Sequence, residues 1–184
     1  MKKALIVIDA QEDFTRGALR NDEAIKALPV VKNLVDYAYE NDFKVFYTMD
    51  THHADTYPNT QEGRNLPVVH CVERTPGWQI CPEVLKAAPV QYDPHRVILL
   101  KNDAFGTMDW QRFSAIREAE EIWICGFCTD ICVVSNFMIL KALYPQIPIK
   151  VFSNACAGVT PELHKAALNV MGSCQGIVTE WENE

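Results

Sequence analysis

The sequence predicts an α/β fold with a parallel sheet wrapped by helices on both faces, and three observations carry that prediction. Six short apolar runs rich in β-branched residues recur along the 184 residues. Segments of helical period lie between most of them. No repeat, low-complexity tract or linker interrupts the alternation, so a single domain over residues 1–184 is expected. Strands alternating with helices form parallel pairs through crossovers, and the helices cover both faces of the sheet.

The first run, "ALIVI" (4–8), follows two lysines and resembles the start of a secretion signal. It ends at Asp9 with no small-residue cleavage site behind it, so it reads as a strand. A helical period follows over Pro29–Glu40, with Val31, Leu34, Val35 and Ala38 on one face. The second strand is "KVFYTM" (44–49). From Asp50 to Cys81 the rhythm stops, yet this stretch holds His52, His53, Asp55, Glu62, His70 and Trp78. Loops this long in compact domains are functional or disordered, and the histidines and aromatics favour function.

"RVILL" (96–100), "EIWICGF" (121–127), "IKVFS" (149–153) and "GIVT" (176–179) supply four more strands. Helical spacing separates them over Trp110–Glu118 and Ile131–Leu143. A third helix is "TPELHKAALNVMG", with Thr160 as its N-cap, Pro161 at its first position and Gly172 as its stop.

A net charge of −7 and a pI near 5.2 argue against a nucleic-acid partner. No segment approaches the roughly 20 apolar residues that span a bilayer. A cytoplasmic protein acting on a small molecule is therefore expected. The seven cysteines are an odd number without a secretion signal, which points to reduced thiols rather than disulfides.

Ligands of parallel sheets bind beyond the carboxyl ends of the strands. Chemistry-bearing residues stand there each time: Asp9, Asp50, Lys101, and the turn from Cys128 to Cys132. Asp9, Lys101 and Cys132 make a coherent group. A thiol attacks as thiolate, so an ammonium that lowers its pKa and a carboxylate that takes its proton would activate it. At a helix start, free N–H groups would favour thiolate and oxyanion, with Thr129 or Asp130 as the cap.

Other readings of the thiols stay open at this point. Cys125 is a buried small hydrophobe, or one half of a redox pair with Cys128, or joins Cys128 and Cys132 around an iron–sulfur cluster. Asp50, His52 and His70, with Glu62 as a fourth ligand, suit zinc, iron or manganese. His53, His95 and His164 are expected to be solvated.

"ALIVIDAQEDF", "TMDTHHAD…LPVVHCVERTPGW", "LLKNDAFG" and "ICGFCTDICV" together resemble the motifs of the isochorismatase-like cysteine hydrolases, and of the nicotinamidases among them. The resemblance covers nearly the whole chain in order. It implies a three-layer α/β/α sandwich and a triad of Asp9, Lys101 and Cys132. It also implies a cis peptide at Phe127–Cys128, which would direct the backbone N–H groups of Cys128 and Cys132 at the substrate oxygen.

The resemblance further implies a divalent metal, zinc with iron or manganese as alternatives, on Asp50, His52 and His70, Glu62 fitting the remaining place. Phe14 and Phe105 would contact the substrate, whereas Leu66 stands about where many nicotinamidases have tryptophan. The implied reaction is deamidation of nicotinamide to nicotinic acid and ammonia, in a homo-oligomer by analogy. Hydrolysis of another small amide or carbamoyl compound is the alternative. A water-activating metallohydrolase centred on Asp50, His52 and His70 is a further one from a different class. A flavodoxin-like binding module lacks support, since no Gly-rich loop follows the first strand.

Overall fold

The computed structural model describes residues 2–85, 97–103 and 105–182. Strands β1 (Lys3–Ile8), β2 (Lys44–Asp50), β3 (Val97–Asn102), β4 (Glu121–Phe127), β5 (Ile149–Ala157) and β6 (Ile177–Thr179) correspond to the six apolar runs. Residues 86–96, with His95 and the first residue of the predicted third strand, lie outside the described residues. Helices α1 (Glu12–Thr15), α2 (Asp22–Glu40), α3 (Gln61–Asn65), α4 (Ser114–Arg117), α5 (Val134–Leu143) and α6 (Pro161–Ser173) occupy the connections.

The strands form one sheet in the order β3-β2-β1-β4-β5-β6, every pairing parallel. From β1 the chain steps outward to β3, then returns to the other side of β1 and steps outward again. Right-handed crossovers taken in opposite directions set helices on both faces, the expected three-layer sandwich. The order reverses between β1 and β4, and a crevice opens at such a switch point beyond the strand ends.

β1 is central and covered on both sides, so Ala4 to Ile8 are completely buried. That is why its sequence is an unbroken apolar run with no alternation. Each such Leu, Ile or Val contributes up to roughly 1.5–3 kcal/mol.

α2 begins seven residues earlier than expected and runs through Pro29. Asn21 caps it, its Oδ1 accepting from the N–H groups of Glu23 (2.8 Å) and Ala24 (3.4 Å). An internal proline costs about 3 kcal/mol. The buried stripe Ala24, Ala27, Leu28, Val31, Leu34, Val35 and Ala38 offsets that cost.

In α6 the Thr160 cap is as expected, but the helix continues through Gly172 to Ser173, and Gln175 takes the left-handed conformation (φ 67°). The helix expected over Trp110–Glu118 is split into a 3-10 turn, Met108–Arg112, and α4. Phe113 between them is extended, and its ring meets Phe46 edge-on at 5.3 Å.

Candidate active site

β1 ends in Asp9, whose φ of 45° lies in the left-handed region that Asp tolerates better than most residues. The turn buries the carboxylate at the switch point. Thr48, on β2 beside it, donates its hydroxyl to Asp9 Oδ1 at 2.6 Å, and the Asp9 N–H donates to the same hydroxyl at 3.1 Å. The thiol of Cys132 lies beside the Asp9 carboxylate, close enough for each to act on the other's ionisation. Burial, then the charge of Asp50, pushes the Asp9 carboxyl up to about 7, against the pull of the Thr48 hydrogen bond and the Cys132 thiol.

Cys132 comes from the other side of the switch point. β4 lies so close to β1 at Gly126 (φ 122°) that a Cβ there would sit 2.0 Å from the Ile8 carbonyl oxygen, so only glycine fits. The chain then passes through a cis peptide at Phe127–Cys128, as the resemblance implies, and enters a π-helical turn, Thr129–Val133, ahead of α5. Cys132 therefore stands in a π-turn rather than the first turn of an α-helix. Its thiol is held in the neutral form, by burial first and by the negative Asp9 next.

Neither Thr129 nor Asp130 caps that turn. Thr129 is fully buried, with its hydroxyl 2.8 Å from His164 Nδ1. Asp130 Oδ1 accepts from the Val159 N–H at 2.9 Å and so ties the β5–α6 loop to the nucleophile turn. His164 is thus engaged rather than freely solvated.

All seven cysteines are free thiols. Cys125 is fully buried, and burial pushes its thiol far up, with Cys156 as its next electrostatic neighbour. Burial likewise pushes Cys128 up to about 12. Among the described residues, one cluster gathers three or more metal-ligand atoms, and it is Asp50, His52 and His70 rather than a cysteine group. The iron–sulfur reading has no geometry behind it.

Lys101 is not delivered to the thiol. In β3 it is registered opposite Met49, whereas Leu100 pairs with Thr48 and Asn102 with Asp50. Alternation along a strand therefore turns Lys101 away from the face that carries Thr48 and Asp50. Its ammonium meets Glu73 Oε1 at 2.7 Å and lies 4.9 Å from the centre of the Trp78 ring. Together with Thr51, His53 and Asn102 it borders a separate cavity.

Asp50 closes β2 and stands between two imidazoles: its Oδ1 is 3.0 Å from His52 Nε2 and its Oδ2 is 3.1 Å from His70 Nε2. His70 Nδ1 lies 2.8 Å from the Val68 carbonyl. With its N–H directed there, the Nε2 lone pair faces the carboxylate. Among the described residues, buried His52 Nε2 makes no well-aligned hydrogen bond despite the 3.0 Å approach of Asp50. Lone pairs and a carboxylate converging on one buried point fit a cation. Glu62 Oε1, on α3, is 3.8 Å and 3.7 Å from the same two nitrogens. Burial raises the Glu62 carboxyl.

These two groups open on one cavity of ≈ 460 Å³, bordered by Cys128, Cys132, Asp50, Glu62 and His70. Phe14 and Phe105 border it too. The Phe14 ring meets His70 edge-on at 6.3 Å, and Phe105 is half exposed at the mouth.

The sequence reading passed over three buried residues that assemble this site. Gln11 ties the ends of β1 and β2, its Oε1 accepting from the Asp50 N–H (2.8 Å) and its Nε2 donating to the carbonyls of Asp50 (2.9 Å) and Trp78 (2.8 Å). Asp13 accepts from the Cys71 N–H at 2.6 Å, beside His70, and from the Ala18 N–H at 3.0 Å. Thr48 orients Asp9. The spacing of Thr48 and Asp50 was the available signal for Thr48, since residues two apart in a strand share a side. Gln11 and Asp13, past the left-handed Asp9 and at the start of α1, offered none.

A sequence profile described as the isochorismatase domain matches residues 3–183. Comparison with curated protein sequences finds no significant match. Among solved structures, the nicotinamidase/pyrazinamidase of Bacillus subtilis is similar at 27% identity with a TM-score of 0.83, over 98% of this chain and 100% of that one. The pyrazinamidase of Pyrococcus horikoshii, solved in complex with zinc, is similar at 25% and 0.78, over 98% and 100%. An N-carbamoylsarcosine amidase from Thermoplasma acidophilum shares the fold at 22% and 0.77, over 98% and 96%.

Proposed function

Because the chain belongs to the isochorismatase family of hydrolases, we propose that it is a metal-containing cysteine amidohydrolase that deamidates nicotinamide to nicotinic acid and ammonia. One observation carries the reading. A buried thiol on the cavity wall, Cys132, stands beside a buried carboxyl, Asp9, which burial pushes up to about 7, so the pair is suited to passing a proton back and forth near neutral pH.

The steps follow from that pair. As the Cys132 sulfur attacks the carboxamide carbon, its proton passes to the Asp9 carboxylate. The backbone N–H groups of Cys128 and Cys132 stabilise the negative oxygen of the tetrahedral intermediate. Asp9 then gives its proton to the amide nitrogen, the C–N bond breaks, and ammonia leaves a thioester on Cys132. Water gives a proton to Asp9 and adds to the thioester carbon. Collapse expels the thiolate, which recovers the proton from Asp9, and the product acid departs, giving its remaining proton to solvent to become the carboxylate.

Asp50, His52 and His70, with Glu62, would hold a divalent ion, zinc being supported by the donor set and by the zinc-bound pyrazinamidase. When bound, that ion supplies a coordination point for the pyridine nitrogen. Phe14 and Phe105 border the space the ring would fill. The lysine that the family resemblance assigns to Lys101 has no part in these steps, since its ammonium is engaged by Glu73.

The same reading keeps residues 1–184 as one domain that works in the cytoplasm on a small-molecule amide, as a homo-oligomer. Among the described residues no helix is long and apolar enough to cross a membrane.

Ammonia release from nicotinamide, measured with wild-type protein and with protein alkylated at Cys132, tests the proposal. Release by wild type and its loss on alkylation are expected. Release that survives alkylation but stops with a chelator would favour a water-activating metallohydrolase at Asp50, His52 and His70 instead.

A further inference from the structure

The cavity is larger and more apolar than a single pyridine ring requires. Its ≈ 460 Å³, open at the mouth, lies in the range of roughly 300–1,000 Å³ of pockets that bury a drug-sized ligand. The groups proposed for the chemistry, Cys132 and the Asp50, Glu62 and His70 cluster, are four of the fourteen residues that border it.

Much of the remainder is apolar, with Arg20 and Asn21 as its polar members, and three of the apolar side chains come from separate loops. Leu66 follows α3, Phe105 follows β3 and Val159 follows β5. These side chains are 37%, 48% and 50% exposed, and each borders the cavity. Apolar groups left in contact with water around one concavity gain free energy only when something covers them, and an apolar ligand does so.

The walls are also anchored. Asp130 holds the Val159 N–H at 2.9 Å, the Asn136 amide donates to the Phe105 carbonyl at 3.3 Å, and the Tyr57 hydroxyl donates to the Leu66 carbonyl at 2.9 Å. Backbone ties of this kind fix the loops around the space and hold it open for an occupant.

Resting on the amidase reading above, we propose that the preferred substrate is a carboxamide carried on a larger apolar body than one pyridine ring. A fused bicyclic or aryl-substituted heteroaromatic amide is the class that fits. Its carboxamide meets Cys132, and the additional ring covers Leu66, Phe105 and Val159.

The test compares kcat/KM for nicotinamide, quinoline-3-carboxamide and 5-phenylpyridine-3-carboxamide, which keep the relation of ring nitrogen to carboxamide while adding apolar bulk. At least one extended amide should exceed nicotinamide by about tenfold or more, the scale that one well-filled apolar subsite provides. Leu66→Trp fills the space from its rim, so it should lower the ratio of extended-amide to nicotinamide kcat/KM by about tenfold. Nicotinamide turned over better than both extended amides would overturn the size inference and leave the amidase reading standing. Hydrolysis of none of the three would overturn both. An unchanged ratio in folded Leu66→Trp protein would also overturn the inference, because the extra ring would then lie elsewhere.

Discussion

The ends of β4 and β3 look alike in sequence and behave differently in space. Each apolar run is followed by a residue suited to the same reaction, Cys132 after β4 and Lys101 at the end of β3. The β4 end delivers its residue into the cavity, where the thiol meets Asp9. The β3 end turns its residue the other way, onto Glu73 and Trp78. A residue on a turn is aimed by the turn, and the path through Cys128 to the π-turn sets Cys132 whatever the parity of β4. A residue within the last pairs of a strand is aimed by register alone, and one step reverses it.

The largest effect that sharpens this contrast is loss of the β4-end thiol. Cys132→Ala removes the nucleophile, so amide hydrolysis should fall by about a thousandfold or more. Metal content and melting temperature should stay close to wild type, because the side chain has no part in the metal cluster and alanine leaves its backbone N–H in place. Retained activity in Cys132→Ala would move the chemistry to the Asp50 cluster and end the view that the β4 turn carries it.

Next in size is the metal cluster, which belongs to the end of β2. His52→Ala and His70→Ala each remove one of three converging ligands, and zinc content after dialysis should drop by about tenfold or more in either variant. Elemental analysis of the purified variants measures it. Full retention in both would mean that Asp50, His52 and His70 form an ion-paired network without a metal.

How much was legible in advance follows the same division. All six strands were, because the covered central strands are written as unbroken apolar runs that stand out from helical spacing, and the partly exposed edge strands β3 and β6 keep short β-branched runs of the same kind. Asp9, Cys132, Asp50, His52 and His70 were legible as residue types that have few uses together. Gln11, Asp13 and Thr48 were not, since a buried polar side chain that ties backbone groups looks like an ordinary surface residue until its partners are known. The start of α2 was hidden by Pro29, which reads as a first helical position although the cap is Asn21, eight residues earlier. The direction of Lys101 was hidden for a deeper reason: parity depends on which residue of β2 it pairs with, and nothing local to "VILLKN" states that.

Within the β4 segment itself a smaller effect separates the structural thiol from the chemical one. Cys125 is fully buried in the strand, so Cys125→Ala should lower unfolding free energy by about 1 kcal/mol with kcat/KM nearly unchanged. Cys128→Ala should keep much of the activity, because the proposed contribution of that residue is its backbone N–H. Chemical denaturation and steady-state kinetics on the two variants check both statements. An inactive Cys125→Ala protein with wild-type stability would give the strand thiol a chemical role.

The smallest expected effect is the one that tests the comparison most directly. With β3 in the register that pairs Met49 with Lys101, the lysine side chain is 53% exposed and its ammonium answers Glu73. Lys101→Met should then leave kcat/KM within about a factor of two of wild type, as loss of an exposed ion pair away from the reacting atoms allows. The pH dependence of Cys132 alkylation should likewise be unmoved, because burial and Asp9, rather than Lys101, hold that thiol neutral. Shift β3 by one residue and the outcome reverses. Lys101 would then pair with Thr48 or Asp50 and share their face, its charge would reach the thiol, and Lys101→Met would cost activity on the scale of losing Asp9. A large loss of kcat/KM in folded Lys101→Met, together with a higher apparent pKa for Cys132 alkylation, would therefore establish the shifted register and remove the difference between the two strand ends.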